Sequence, residues 1–430
     1  MKIGVYGLWH LGAVTAACLA QAGFETIGID AEPGLATSLA NGMPPLFEPG
    51  LEDMLRDGLA SARLSFTGDL KRAAETDLLW VTYDTPVDDD DRADVESVTR
   101  SIAAIFPYLR DGAVVLISSQ LPVGSTAALS RQFGEVAAGR AVSFAYSPEN
   151  LRLGKALEAF RTPERIIVGA RDQQAREVVD PVLRRFCERI IWMSVESAEM
   201  TKHAVNAFLA TCVVFANELA TVCEEVGASA AEVERGLRSE PRIGAKAYVR
   251  AGAAFTGGTL ARDIRFIGDL GRRHGITMPM LEAVLASNNA HRSWAFNRLV
   301  RRLGSPQGKV VAVLGLAYKP GTDALRRSLG VELCLRLAEK GAVVRAFDPK
   351  VRAWPKDLDL PVPLASSAMA ALDGADAAVI ATEWPEFREL SADDVASRMR
   401  APLVIDPNGF LPAPLREDRR IHCVTVGTAR

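Results

Sequence analysis

Lys202 and Asn206 stand four residues apart in a stretch, Ser197 to about Val226, that no Gly or Pro interrupts. On a helix this spacing puts both side chains on one face. An ammonium followed one turn later by an amide can address a single substrate oxygen, the first by charge and the second by hydrogen bonding; taken alone, the pair also fits a solvated helix face. A second chemical signal opens the chain. After the strand-like KIGVY comes GLWHLG, Gly7 to Gly12, leading into a helix through Ala13 to Ala22. In the dinucleotide-binding turn Gly-x-Gly-x-x-Gly, Gly7 supplies the sharp bend and Gly12 the close packing of helix on strand. Trp9 occupies the place of the middle Gly, where a pyrophosphate approaches the backbone. Asp30 ends the next strand-like run, ETIGID, about 20 residues on, where a carboxylate accepts from a ribose 2′-hydroxyl and repels a 2′-phosphate. That choice selects NAD over NADP.

The elements that must position these groups follow from hydrophobic patterning. KIGVYG, ETIGID, LLWVTYD, AVVLISS and VSFAYS alternate with helical segments, which implies βαβ units and a parallel sheet. A long helix follows, running to Gly227. Strand-like runs return at VVAVLGL, AVVRAFD, AAVIAT and LVID, a second and smaller doubly wound sheet that begins after SPQG, Ser305 to Gly308. No repeat between the two halves is evident in the sequence. The loop GLAYKPGTD leaves a strand at the carboxyl end of this second sheet, where ligands bind in open α/β folds. Its basic neighbours suit a phosphate, Arg above all, because a guanidinium donates paired hydrogen bonds.

Composition narrows the classes. At 430 residues the chain exceeds what one core organises, so two or three domains are expected. With 50 basic and 53 acidic residues, a formal net charge of −3, nothing favours nucleic acid or a membrane surface. No uninterrupted apolar run approaches the ~18 residues of a membrane helix. The chain starts on a strand-like segment rather than a charged and then apolar leader, which makes a cytoplasmic location the expectation. Six scattered cysteines, Cys18, Cys187, Cys212, Cys223, Cys334 and Cys423, form neither a disulfide framework nor a zinc site, and no metal is expected.

PPLFEPGLEDML, YDTP, SSQLPVGST, SPENLRLGKAL, SAEMTKHAVNAFLA, RIGAKAYVRAG, FTGGTLARD and LGLAYKPGTDALRRS, in this order, resemble the motifs of the UDP-glucose/GDP-mannose dehydrogenase family over essentially the whole chain. The resemblance implies two Rossmann-like doubly wound domains joined by a long central helix: an NAD-binding domain over 1–195, a central dimerisation and active-site segment over 196–304, and a nucleotide-sugar-binding domain over 305–430. It implies NAD held by Gly7, Trp9, Leu11, Gly12, Asp30, Thr85 and Pro86, and a UDP- or GDP-sugar held by Leu151, Arg242, Gly257, Lys319 and Arg326. By the same resemblance Lys202 stabilises charge on the reacting oxygen, Asn206 helps to hold a water and Asp263 assists proton transfer, with Glu149 beside them. A homodimer through the central helix is expected.

The chain departs from the family at three places. The family loop usually reads F-G-G-S-C-F-P-K-D, its Cys being the nucleophile that captures the aldehyde intermediate, and Thr259 stands in that position. Gln120 stands where the family has a water-activating Thr, and Leu153 where a second Glu would follow Glu149. A hydroxyl without an adjacent base is a poor substitute for a thiolate. On a helix Cys212 and Cys223 would lie roughly 15 and 30 Å beyond Lys202, too far to replace it. The expected activity is therefore one alcohol oxidation, or a transient oxidation that epimerises the sugar. The alternatives are an ordinary 6-dehydrogenase that yields a uronic acid, and a non-catalytic paralogue that only binds nucleotide sugar or NAD.

Overall fold

The computed structural model describes the chain except residues 33, 89–91, 138, 150, 152, 257, 356–357, 359 and 429–430. It divides into two compact units, Met1–Val205 with Arg265–Leu270, and Asn206–Ile264 with Gly271–Arg430.

The first unit is an eight-stranded sheet. Its strands are β1 (Lys2–Tyr6), β2 (Glu25–Ile29), β3 (Leu64–Thr67), β4 (Leu78–Val81), β5 (Val114–Ile117), β6 (Ser143–Tyr146), β7 (Ile166–Ala170) and β8 (Ile190–Met193). They lie in the order β3-β2-β1-β4-β5-β6-β7-β8, so the chain reverses direction across the sheet between β1 and β4, the place where doubly wound folds bind ligands. All pairs are parallel except β6 with β7. β1, β4 and β5 are near-continuous apolar runs because both faces are covered. Ile3, Val5, Leu78 and Trp80 face one core, and Tyr6, Leu79 and Val81 the other.

The second unit carries β9 (Val310–Leu314), β10 (Val343–Phe347), β11 (Ala377–Ile380), β12 (Leu403–Ile405) and β13 (His422–Val424) in the order β10-β9-β11-β12-β13, all parallel. The switch point lies between β9 and β11. The patterning does not reveal β3, β7, β8 and β13: β3 and β8 are the two edges of the first sheet and β13 one edge of the second, while β7 (IIVGA) and β8 (IIWM) are apolar runs as long as those of the strands it does reveal.

The register builds the same device in each unit. Tyr6 pairs with Ile29 and Val81, so Gly7, Asp30 and Thr82 leave the first sheet side by side. Leu314 pairs with Phe347 and Ile380, so Gly315, Asp348 and Ala381 do so in the second. Gly7 and Gly315 have φ of 96° and 97°, a left-handed conformation that L side chains resist. A Cβ on Gly12 would come 1.9 Å from the Gly7 carbonyl oxygen, and one on Gly330 2.3 Å from that of Gly315. The Leu8 N–H donates to Asp30 Oδ2 at 2.7 Å. Correspondingly, the Leu316 and Ala317 N–H groups donate to Asp348 Oδ2 at 2.7 and 2.9 Å.

The helix Val195–Val226 runs from the first unit into the second. By length and composition alone an 18-residue window of it, with a mean hydropathy of 1.5, is apolar enough to cross a membrane. Lys202, Asn206, Asn217 and Glu218 interrupt the apolar run, as expected from the sequence. The window is 39% buried within the chain.

Candidate active site

In the first unit the loops after β1, β4, β5 and β6 surround the switch point. The helix His10–Gln21 starts at Trp9 with no side-chain cap, leaving its first-turn N–H groups to an anion. Gly7 and Gly12 keep that turn open, and Leu11 is buried beneath it. These features fit a dinucleotide pyrophosphate. The Trp9 side chain, 45% exposed, turns outward rather than into the core. Asp30 is buried, its Oδ1 accepting the Glu32 N–H at 2.9 Å while Oδ2 takes that of Leu8. Its carboxylate therefore fixes the turn. Thr82, which the sequence reading passed over, donates to the Gly7 carbonyl at 2.6 Å and closes the same turn from β4. Thr85 is buried and donates to the Gln120 carbonyl at 2.7 Å, tying the loop after β4 to that after β5; Pro86 is exposed.

Lys202 is 8% exposed and its Nζ donates to the Glu149 main-chain carbonyl, with the Glu149 carboxylate 4.0 Å away. Glu149 Oε2 accepts the Leu151 N–H at 2.7 Å, folding the loop on itself. One turn before Lys202, Glu199 is fully buried and accepts the Gly124 and Thr126 N–H groups at 2.6 and 2.9 Å and the Thr126 hydroxyl at 2.7 Å. It caps the helix Ser125–Val136, where the helix dipole favours a carboxylate. Burial nonetheless holds its carboxyl above the usual range, the hydrogen bonds from Thr126 and Gly124 opposing it. Glu48, from the PPLFEPGL stretch, plays a similar part: it accepts the Gly154 and Ala156 N–H groups at 2.8 and 2.7 Å and meets His10 Nε2 at 3.1 Å. Neither Glu had been singled out, although both sit inside quoted motifs.

In the second unit Asn206 donates from Nδ2 to Asp263, whose carboxylate is fully buried. Thr259 is the first residue of the helix Thr259–Arg273 and is exposed. Gly257 lies outside the described residues. A cavity of about 520 Å³ opens at the carboxyl ends of β9, β11 and β12, lined by Arg250 to Thr256, Ala317 to Pro320, Ala381 to Glu383 and Asn408. Lys319 reaches it; Arg242 and Arg326 do not line it. Arg242 is instead an exposed residue paired with Glu240 at 2.7 Å. Arg250 is the second cation of the cavity wall, donating to the Asn408 carbonyl at 2.7 Å. Opposite it Glu383 is held above the usual carboxylate range, chiefly by burial. Among the described residues no cluster of His, Cys, Asp and Glu could hold a metal.

A pyrophosphate turn in one doubly wound unit, and a cation-bearing cavity at the switch point of another, define the class as a dinucleotide-dependent oxidoreductase of double Rossmann architecture. The chain belongs to the UDP-glucose/GDP-mannose dehydrogenase family: the family's NAD binding domain matches residues 1–187, its central domain 196–290 and its UDP binding domain 312–413. A UDP-glucose 6-dehydrogenase of Pseudomonas aeruginosa is 35% identical, covering 97% of this chain and 95% of its own. One from Bacillus subtilis is 31% identical over 94% of this chain and 88% of its own. The structure of a UDP-glucose dehydrogenase from Pyrobaculum islandicum superposes with a TM-score of 0.87 at 34% identity, covering 100% of this chain and 98% of the other. The protein is an NAD-dependent oxidoreductase of nucleotide sugars.

Proposed function

We propose that this enzyme removes one hydride from a UDP-linked sugar alcohol and releases the product at the carbonyl level, or returns the hydride to give an epimer, without forming a thioester. Bound NAD supplies the hydride acceptor. As the hydride departs the carbinol proton passes to the Asp263 carboxylate, which the Asn206 amide orients, and the Lys202 ammonium offsets charge on that oxygen. The UDP moiety is assigned to the cavity at β9, β11 and β12, with Lys319 and Arg250 facing its phosphates.

The observation that carries the reading is Thr259, a hydroxyl at the head of its helix where the family motif has a thiol. Four of the other thiols offer no replacement. Burial pushes Cys18, Cys334 and Cys423 up to about 12 and raises Cys212 as well, so these stay protonated and weakly nucleophilic. The names of the relatives favour a second reading, a UDP-glucose 6-dehydrogenase that reaches the acid by a hydrolytic route needing no Cys. Counting NADH formed per UDP-glucose consumed separates the two: one or none supports the proposal, and two supports the 6-dehydrogenase.

A homodimer goes with either reading. Phe208, Phe215, Val222 and Val226 on the long helix are 67%, 47%, 57% and 70% exposed, at spacings of seven and four that form a single stripe. Half-buried Cys212 and Leu219 fall between them on the same seam. A second copy of the chain is its assigned partner. Phe215→Glu is expected to give a monomer by sedimentation.

A further inference from the structure

The cavity at β9, β11 and β12 is walled on one side by a segment with no secondary structure. From Arg250 to Thr256 the backbone is neither helix nor strand, yet Gly252 and Ala254 are buried, so its N–H and C=O groups need partners from elsewhere. Three asparagines from three different elements supply them. Asn217, on the long helix, accepts the Gly252 N–H at 2.9 Å and donates to the Ala253 carbonyl at 3.5 Å. Asn408, after β12, accepts the Ala253 N–H at 2.7 Å. Asn288, on the helix Pro279–His291, accepts the Phe255 N–H at 2.9 Å and donates to the Phe255 carbonyl at 3.1 Å. His291, one turn further on, meets the Gly252 carbonyl at 2.8 Å.

An amide carries one donor end and one acceptor end. Asn288 uses both to pair the two polar groups of Phe255, as a neighbouring strand would, while Asn217 spans Gly252 and Ala253. Asn217 and Asn288 are 2% and 3% exposed, so water does not compete for these bonds. The seat is also specific in shape: a Cβ on Gly252 would fall 2.3 Å from Asn408 Oδ1. The clamped segment then leads within a few residues to Thr259.

We infer that Asn288, Asn217 and Asn408 are positioning residues for nucleotide-sugar binding, which hold the Arg250–Thr256 segment in the shape that fits the UDP moiety. The inference rests on the proposal that this cavity takes UDP. Asn217 and Asn288 do not line the cavity and act through the backbone they hold, whereas Asn408 both holds the segment and lines the cavity.

Calorimetric titration of UDP onto the full chain, well below its melting transition, tests it. Asn288→Ala is expected to weaken UDP at least tenfold while NAD, bound in the other unit, keeps its affinity within twofold. In turnover the loss should fall on KM for the nucleotide sugar and not on kcat. Amide exchange at Gly252 to Phe255 should quicken selectively. Asn217→Ser, a milder change at the other end of the segment, should repeat the pattern even if Asn288→Ala folds poorly. UDP affinity within twofold of the parent in Asn217→Ser and in any folded Asn288→Ala would overturn the inference while leaving the cavity assignment intact. A parent chain that binds no UDP would remove both.

Discussion

The Glu199 carboxylate receives the backbone N–H and the hydroxyl of Thr126 at 2.9 and 2.7 Å. That contact ties the long helix, one turn before Lys202, to the first turn of the helix Ser125–Val136, which follows the loop that carries Gln120. Removing the carboxylate leaves buried donors without partners. Glu199→Ala is expected to cost about 3 kcal/mol in a denaturant titration, the scale of several unpaired buried polar groups. A loss under about 0.5 kcal/mol would show the cap to be dispensable.

Lys202 is held by a main-chain carbonyl in a buried setting, where a point charge acts strongly on a nearby oxygen. Lys202→Ala should lower turnover by roughly 10²-fold or more with NAD affinity nearly unchanged. Full turnover in the variant would return Lys202 to a purely structural part.

Asp30 is expected to make NAD bind at least about tenfold more tightly than NADP, about 1.4 kcal/mol. Because its carboxylate also fixes the Leu8 N–H, Asp30→Ala should weaken NAD itself rather than merely admit NADP. Equal affinities for the two cofactors in the parent chain would contradict the assignment.

Burial lowers the His291 pKa below its ordinary 6.5, and the bond to the Gly252 carbonyl only partly opposes this. The folded chain thus takes up that proton less readily than the unfolded one. Its contribution to stability is complete above pH 6.5 and is lost as the pH falls below that value, by at most about 1.4 kcal/mol per unit. His291→Gln, which keeps an N–H donor for Gly252, should match the parent at pH 8 and lose less stability between pH 6.5 and 5. Parallel stability curves would place the acid sensitivity elsewhere.

Much of this architecture is legible in the sequence because strands buried on both faces must be apolar and short, and Gly7, Gly12 and Asp30 advertise the first turn at close spacing. The second copy of that device was invisible for a physical reason. Gly7 and Gly12 are five residues apart and Gly315 and Gly330 fifteen, so geometry repeats where spacing does not. Lys202 and Asn206 were readable as a helical pair. Glu199, Glu48 and the three clamping asparagines were not, because each acts on backbone far away in sequence: Glu48 on Ala156, Asn408 on Ala253. Arg250 rather than Arg242 lines the cavity, a choice that depends on where the loop turns and not on residue type.

The central claim concerns Thr259, exposed at the head of its helix with a hydroxyl in place of a thiol. Thr259→Ala should keep substantial activity, and Thr259→Cys alone should give little acid, since Gln120 and Leu153 remain. The most direct measurement is the mass of the product that the unmodified enzyme makes from UDP-glucose and NAD. The account predicts a nucleotide sugar that has lost two hydrogens or, for an epimer, none. A uronic acid, two hydrogens lost and one oxygen gained, would contradict it.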